Sequence, residues 1–206
     1  MPIPPIPAWD HNAWYHPLLL SRIPPGATRV LEIGCGEGTL ATAIASRGIT
    51  VDAVDRSPVM IDAARTRVPD GVRLHLADVL TDPLPGDGYD AVLSLSTLHH
   101  LPLPDALPKL AAAVRPGGVI AAVALPRLDL RREWHRELAA GVAENAFGAA
   151  FALTGRLRHH GDGDMPVAQP TLTTAQVREQ ADAVLPGVRV RRLTFWRYEL
   201  LWQRPA

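Results

Sequence analysis

Residues 28–125 alternate between short β-branched runs and Ala-rich segments of helical character. This pattern predicts five strands, at 29–33, 49–54, 72–76, 90–95 and 119–124, with helices at 39–47, 58–67 and 105–114. Strands that alternate with helices form βαβ units, which favour an α/β fold with a parallel, doubly wound sheet. Because ligands of such sheets bind at the carboxyl ends of the strands, we expect the functional residues at that edge.

The segments on either side of this core are less regular. Residues 10–22, rich in histidine and aromatic residues, are predicted to form a short helical lead-in. A helical stretch at 129–153 leads into a loop at 156–170, and a loop of that length is typical of a lid, a binding loop or a disordered segment. Thr173 or Thr174 is predicted to cap a helix that ends at Val184, before two final strands at 188–193 and 194–202.

Length and charge narrow the class of protein. A chain of 206 residues fits one domain, here divided into a lead-in (1–27), a core (28–125), a cover (126–172) and a final helix with two strands (173–206). The 21 basic residues balance the 21 acidic ones, which argues against a nucleic-acid or membrane partner. The single cysteine excludes a disulfide framework. With no signal-like segment visible, we expect a cytoplasmic protein.

A glycine turn follows the first strand of the core. Gly34, Gly36 and Gly38 permit positive φ and let a ligand approach the backbone, and the next helix presents free N–H groups there. The spacing G-x-G-x-G differs from the dinucleotide fingerprint G-x-G-x-x-G, which disfavours pyrophosphate binding and a nicotinamide-dependent oxidoreductase. Glu32, just before the turn, indicates a ligand that carries positive charge.

Two further acidic residues end the next two strands. Asp55 can accept hydrogen bonds from both hydroxyls of a ribose, and Asp78 beside the backbone N–H of Val79 matches the edge of an adenine. Each aspartate alone is equally typical of a cap or a turn. Three acids at the ends of three consecutive strands, all on one edge of the sheet, favour a shared ligand.

The ordered motifs resemble those of class I S-adenosylmethionine-dependent methyltransferases, and most of all the small-molecule branch that includes ubiquinone- and menaquinone-type enzymes. The similar segments are VLEIGCGEG at 30–38, VDAVDRS at 51–57, ADV at 77–79, YDAVLSLSTLHHL at 89–101 and VRPGG at 114–118. The resemblance implies a Rossmann-like sheet of seven strands, mostly parallel with an antiparallel last strand. It also implies S-adenosylmethionine as the cofactor.

The resemblance assigns cofactor contacts to the matching positions, which are Glu32, Gly34, Cys35, Gly36, Asp55, Arg56, Asp78, Val79 and Leu95, together with Tyr15 of the lead-in. The glycine turn would face the methionine part of the cofactor, with Glu32 near it. Asp55 would hold the ribose with Arg56 beside the adenine, and Leu95 would offer its backbone to the amino group. Cys35 occupies a position that is commonly Cys or Ser in the family, so we do not expect a nucleophilic thiol.

Histidines are the candidate catalytic residues. Methyl transfer from a sulfonium is a direct displacement, in which the protein mainly aligns the two reactants, although a hydroxyl acceptor benefits from a general base. His99, His11 and His16 are candidates for that base, with packing roles as the alternative, whereas His100 is expected to be structural. The segment His159-His160-Gly-Asp-Gly-Asp164 is interpreted as a surface loop, and no metal is expected.

The predicted function is therefore methyl transfer from S-adenosylmethionine to a small organic acceptor, at oxygen or nitrogen, by a monomer or weak dimer. Three alternatives stay open at this point. They are a methyltransferase of RNA or protein, a nicotinamide-dependent oxidoreductase, and a protein that binds S-adenosylmethionine without transferring its methyl group.

Overall fold

A computed structural model describes residues 11–128 and 169–206. In these two ranges seven strands form one sheet: β1 (Arg29–Ile33), β2 (Thr50–Asp55), β3 (Val72–Leu76), β4 (Tyr89–Leu95), β5 (Val114–Ala124), β6 (Arg189–Arg192) and β7 (Tyr198–Gln203). The helices of the same ranges are α1 (His11–Leu20), α2 (Thr39–Ala45), α3 (Pro58–Arg65), α4 (Leu103–Ala113) and α5 (Thr174–Val184), with a 3₁₀ turn at Leu98–His100.

The strand order is β3-β2-β1-β4-β5-β7-β6. Neighbouring strands from β3 to β5 are parallel, and β7 is antiparallel to both β5 and β6. This confirms the expected α/β, Rossmann-like sheet with an antiparallel last strand. Because β7 runs against β5, its first residue, Tyr198, pairs with Ala124 and lies at the same edge as the carboxyl ends of the parallel strands.

The chain reverses its direction of travel across the sheet between β1 and β4, and this places helices on both faces. Leu19 of α1, Leu40 of α2 and Ile61 of α3 pack into one buried cluster, whereas Leu107 of α4 and Val177 of α5 pack into the other. Such a reversal point opens a crevice at the carboxyl edge, where α/β sheets bind ligands. The glycine turn after β1 lies at this crevice.

Two local predictions about helix starts are confirmed. The Ser57 side chain accepts a hydrogen bond from the N–H of Met60, with Pro58 as the first residue of α3. Thr173 begins α5 with a capping box, in which its side chain accepts from the N–H of Gln176 and the Gln176 side chain accepts from the N–H of Thr173. Both caps depend on residues three positions apart, so they can be predicted from the sequence.

The final hairpin differs from its prediction. A strand was expected over 194–202, but β7 begins only at Tyr198. Phe195 and Trp196 have left-handed φ angles of 50° and 53°, and the N–H of Arg197 donates to the carbonyl of Thr194. The predicted start of the last strand is therefore wrong, because the β-favouring residues before Tyr198 turn the chain from β6 into β7.

Several predictions lie outside the described residues, namely the helical stretch at 129–153, most of the loop at 156–170 and the histidine and aspartate residues at 159–164. The helical lead-in is confirmed as α1. Among the helices of residues 11–128 and 169–206, none combines the length and apolar character needed to cross a membrane.

Candidate active site

The glycine turn combines a tightly packed position with an open one. Gly34, Gly36 and Gly38 all have positive φ angles, of 71°, 52° and 79°. A Cβ added to Gly34 would lie 2.0 Å from the hydroxyl oxygen of Thr97, so the chain after β4 packs directly against this glycine. A Cβ added to Gly36 would meet no atom within 4 Å, which leaves space for a ligand above the backbone of the turn.

Asp55, at the end of β2, is tied to this turn. Its Oδ2 accepts a hydrogen bond of 2.9 Å from the N–H of Gly36, and its Oδ1 accepts one of 2.8 Å from the N–H of Ser57. A carboxylate oxygen can accept more than one hydrogen bond, so both oxygens keep capacity for a further donor. The side chain is thus held in place by the backbone and can accept hydrogen bonds from two hydroxyl groups.

Glu32 is a buried acid that its surroundings do not satisfy. Its side chain is 2% exposed, and its Oε2 has no hydrogen-bond partner among the described residues. Burial, together with the negative charge of Asp55, raises the pKa of Glu32 to about 8. A positive charge beside it would favour the ionised form, and an ammonium group would also donate the missing hydrogen bond. The residues present therefore fit the sulfonium or ammonium group of S-adenosylmethionine.

Asp78 has the local role that its sequence context allows. Its Oδ1 accepts a 2.9 Å hydrogen bond from the N–H of Leu80, and its own N–H donates to the carboxylate of Asp82. Val79 beside it is buried in the core. These bonds form a turn at the end of β3, and an adenine contact by Asp78 and Val79 stays a prediction.

Arg56 and Leu95 are placed at the same edge. Arg56 is exposed. The pKa of His100 is lowered first by the burial of its own ring and then by the positive charge of Arg56. The carbonyl of Leu95 accepts a hydrogen bond of 3.2 Å from the Thr97 hydroxyl. Cys35 is buried, and burial together with Glu32 and Asp55 raises the pKa of its thiol, which opposes a nucleophilic role.

Tyr15 of α1 makes its side-chain hydrogen bond with the β6–β7 turn. Its side chain is buried, and its hydroxyl donates to the carbonyl of Thr194 in the β6–β7 turn. A different residue links α1 to the predicted site, since the Ser96 hydroxyl donates a 2.6 Å hydrogen bond to Oδ1 of Asn12. Cofactor contact by Tyr15 stays a prediction, and no sequence signal indicated the bond between Asn12 and Ser96.

The candidate catalytic histidines fall into two places. Burial, followed by the charges of His100 and Arg197, lowers the pKa of His99 to about 3, so His99 is neutral and a poor proton acceptor at physiological pH. The His99 and His100 rings lie 3.9 Å apart. His16 is half-buried on α1. His11 is the first residue of that helix, and its side chain is not among the described ones. The structure therefore disfavours His99 as a general base.

A metal centre has no support in the part of the chain that the structure describes, where no group of three or more His, Cys, Asp or Glu side chains could hold an ion. The histidine and aspartate residues at 159–164 are not in that part.

Known proteins share both the sequence and the fold. A family model described as "Methyltransferase domain" matches residues 30–118. An uncharacterized methyltransferase of Mycobacterium tuberculosis, Rv0089, is 36% identical over 201 residues, which cover 96% of this chain and 98% of that protein. The magnesium-protoporphyrin O-methyltransferase of Rhodobacter capsulatus is 31% identical over 195 residues, or 91% of this chain and 78% of that protein.

The crystal structure of the S-adenosylmethionine-dependent methyltransferase SibL in its apo form has the same fold. It superposes with a TM-score of 0.63 at 23% identity, and the match covers 94% of this chain and 56% of the SibL chain. The relatives, the shared fold and the unsatisfied acid beside the glycine turn agree with one another, and they exclude the nicotinamide-dependent alternative. The chain belongs to the class I S-adenosylmethionine-dependent methyltransferases.

Proposed function

We propose that this methyltransferase acts on a small organic acceptor, at an oxygen or a nitrogen atom. The observation that carries this proposal is the relative from Rhodobacter capsulatus, which matches 91% of this chain and is named for methylating magnesium-protoporphyrin, a small molecule. The balance of 21 basic and 21 acidic residues supports it, because a polyanionic RNA acceptor calls for a positive surface.

Three groups of the chain would hold the cofactor, which supplies a methyl group already activated on a sulfonium. Glu32 would pair with the positive charge, the open space at Gly36 would admit the ligand to the backbone, and Asp55 would accept from the ribose hydroxyls. Cys35 and Gly34 belong to the same turn. The adenine would be contacted by Arg56, Asp78 and Val79. The amino group of the cofactor would be contacted by the backbone of Leu95, and Tyr15 would approach the cofactor from α1.

The acceptor would lie on the other half of the edge. The proposed cofactor contacts come from the ends of β1, β2 and β3 and from Leu95 at the end of β4, so the turn after β4, the end of β5 and the start of β7 remain for the acceptor. His99 and Tyr198 lie in that half. The structure disfavours proton abstraction by His99, so alignment of the acceptor with the methyl group would supply most of the rate enhancement. His11 and His16 remain candidates for contact with the acceptor from α1.

Calorimetric titration tests the cofactor half of this proposal. The folded protein should bind S-adenosylmethionine and its demethylated product, and Asp55→Ala should weaken both. Asp62→Ala is the matched control, because Asp62 lies on the exposed side of α3, where it pairs with Arg65. Unchanged affinity in Asp55→Ala would contradict the ribose assignment.

A labelling experiment tests the acceptor half. With the methyl group of S-adenosylmethionine labelled, the protein is incubated with separate small-molecule, RNA and protein fractions of a cell extract. Label should appear in the small-molecule fraction. Label confined to RNA or protein would overturn the small-acceptor proposal, and binding without any transfer would favour a non-catalytic role.

We also propose that residues 1–206 form a single domain of a cytoplasmic protein that is a monomer or weak dimer, without a nucleic-acid or membrane partner. The buried lone cysteine supports a reducing compartment, and the neutral charge supports a protein that does not associate with polyanions. Light scattering of the purified protein over a range of concentrations checks the oligomeric state.

A further inference from the structure

A small cavity lies in the half of the edge that we assign to the acceptor. Its volume is about 10 Å³. It is lined by His99 and Tyr198 and otherwise by aliphatic side chains, among them Leu98, Leu125 and Val177. The wall thus combines residues from the turn after β4, the end of β5, helix α5 and the start of β7.

Two polar atoms of this wall are buried without a hydrogen-bond partner in the described structure. One is the hydroxyl of Tyr198, whose side chain is 1% exposed, and the other is Nδ1 of His99. Buried polar groups in proteins are nearly always satisfied by protein or by ordered water. The other lining side chains are aliphatic and offer no partner, so within the described structure the cavity that both residues line is the place for a partner that serves both atoms.

The volume of the cavity decides what that partner is. A cavity of about 10 Å³ holds one water molecule, provided that the water finds polar partners. We propose that a single water bridges the hydroxyl of Tyr198 to Nδ1 of His99, and that Tyr198 is thereby a positioning residue for His99. Neither residue is a neighbour of the other in the sequence, since β7 brings Tyr198 to this edge from the far end of the chain.

The bridge has a preferred direction. The phenolic O–H can donate to the water, and the water can donate in turn to Nδ1 if that nitrogen carries no proton. If Nδ1 carried the proton, either the phenolic hydrogen or both hydrogens of the water would find no side-chain acceptor in an otherwise aliphatic lining, which is the costlier arrangement. The bridge therefore places the ring proton of neutral His99 on Nε2. The ring of His100, tilted and 3.9 Å away, and the charge of Arg197 also disfavour a second proton on this ring.

The consequence for the reaction is a change in the role of His99. With its proton held on Nε2 and with Nδ1 engaged by the water, His99 can donate a hydrogen bond but has no free ring nitrogen to take a proton from the acceptor. That role rests on the proposed function, whereas the bridge itself depends only on the cavity and on the two unpartnered atoms of its lining residues.

The tautomer of the His99 ring, measured by NMR, tests the bridge directly. Long-range ¹H–¹⁵N correlation spectra of the ¹⁵N-labelled full chain report which ring nitrogen of His99 is protonated, and His99→Gln identifies the signals by their loss. In the native protein we expect the proton on Nε2 alone. In Tyr198→Phe, which keeps the ring but removes the hydroxyl, we expect the Nδ1 signal to shift and the second tautomer to appear.

Tyr89→Phe is the matched control, because it removes a buried hydroxyl that is bonded to Asp52 instead, and it should leave the His99 signals unchanged. A native proton on Nδ1, or an unaltered His99 spectrum in Tyr198→Phe, would overturn the proposal. If Tyr198→Phe does not fold, a high-resolution crystal structure of the native chain decides. One ordered water within hydrogen-bonding distance of both atoms supports the bridge, and an empty cavity contradicts it.

Titration of S-adenosylmethionine into the same samples keeps the two proposals separate. A native protein that shows the bridge but does not bind the cofactor would overturn the proposed function and leave the bridge intact. A protein that binds the cofactor but lacks the bridge would do the reverse.

Discussion

The buried, unpartnered carboxyl group of Glu32 indicates a positively charged ligand. The Glu32 carboxyl group is buried with one oxygen unsatisfied, and burial followed by the charge of Asp55 raises its pKa to about 8. In the cofactor-free protein at pH 7 it is therefore mostly protonated. A cationic cofactor favours the carboxylate, so binding is expected to drive the proton off this group.

The first prediction is that binding of S-adenosylmethionine releases a proton at pH 7. Affinity should rise with pH and level off above about 8, where Glu32 is already ionised in the free protein. Calorimetry in buffers of different ionisation enthalpy measures the released proton. Glu32→Gln should abolish the release and weaken binding by roughly 10- to 100-fold, as for the loss of a charged hydrogen bond. The native protein binding without proton release at pH 7 would contradict this assignment.

A second prediction concerns stability without the cofactor. Because the folded pKa of Glu32 lies above its unfolded value, its contribution to the free energy of unfolding is fully present below pH 4.5 and is lost as the pH rises through about 8. Glu32→Gln should therefore stabilise the cofactor-free protein increasingly between those two values. Melting temperatures of the two proteins measured over this range give the difference. A constant difference at all pH values is the contrary outcome.

At the level of elements, the glycine turn that follows β1 packs against the chain just after β4. Gly34 and Gly36 both have left-handed backbone angles, but an added Cβ would collide with Thr97 only at Gly34. The two positions therefore separate the packing of the fold from the space reserved for the ligand. One substitution tests each.

The third prediction compares Gly34→Ala with Gly36→Ala. Both carry the backbone strain of a left-handed alanine, about 1–2 kcal/mol, but Gly34→Ala adds the collision with Thr97 and should be the more destabilised in urea unfolding. Gly36→Ala should stay folded and lose affinity for S-adenosylmethionine, because its methyl group enters the open space above the turn. Equal destabilisation of the two variants, or full affinity in Gly36→Ala, would argue against this division of roles.

On the scale of the whole molecule, buried carboxylates join elements that are distant in the sequence. Oδ2 of Asp52 in β2 accepts hydrogen bonds from Arg29, Arg73 and Tyr89, and its Oδ1 lies 3.0 Å from Nε2 of His75. Burial alone would raise the pKa of Asp52, but these hydrogen bonds bring it below its ordinary value. Burial likewise raises the pKa of Asp90 and Glu199, and hydrogen bonds bring both below their ordinary values. The main donors are the Thr28 backbone and the Arg115 side chain for Asp90, and Arg22 and Arg191 for Glu199.

The fourth prediction is loss of stability in acid. The folded pKa of these carboxyl groups lies below the unfolded value of about 4, so their contribution is present above that pH and is lost as the pH falls through the folded values. His99 adds a loss from about 6.5 down to about 3, because the unfolded chain binds its proton first. Urea unfolding between pH 7 and pH 3 should show both parts.

Asp52→Asn provides the corresponding variant. It should lower the free energy of unfolding by about 1–3 kcal/mol at pH 7, and the difference from the native protein should narrow toward pH 3. Asp62→Asn is the control, because the exposed pair with Arg65 should contribute no measurable stability. A difference for Asp52→Asn that does not change with pH would mean that its charge is not the stabilising feature.

The features that could be predicted from the sequence are those that depend on residues close together in the chain. β1 and β3 have the predicted bounds, and the caps at Ser57 and Thr173 need only residues three apart. The glycine turn and the acids at the strand ends were also legible. The turn at Phe195 and Trp196 was not, because its residues favour strands and only the need to join β6 to β7 overrides that preference.

Sequence alone was therefore sufficient for the α/β order, the parallel sheet and the edge at which the cofactor site should lie, since hydrophobic period and turn chemistry are local properties. Tertiary structure decided the rest. It buried Glu32 without a partner, directed the Tyr15 hydroxyl to Thr194, and brought Tyr198 to the same cavity as His99. Proton affinity and hydrogen-bond satisfaction depend on burial and on neighbours from distant parts of the chain, and no local pattern contains that information.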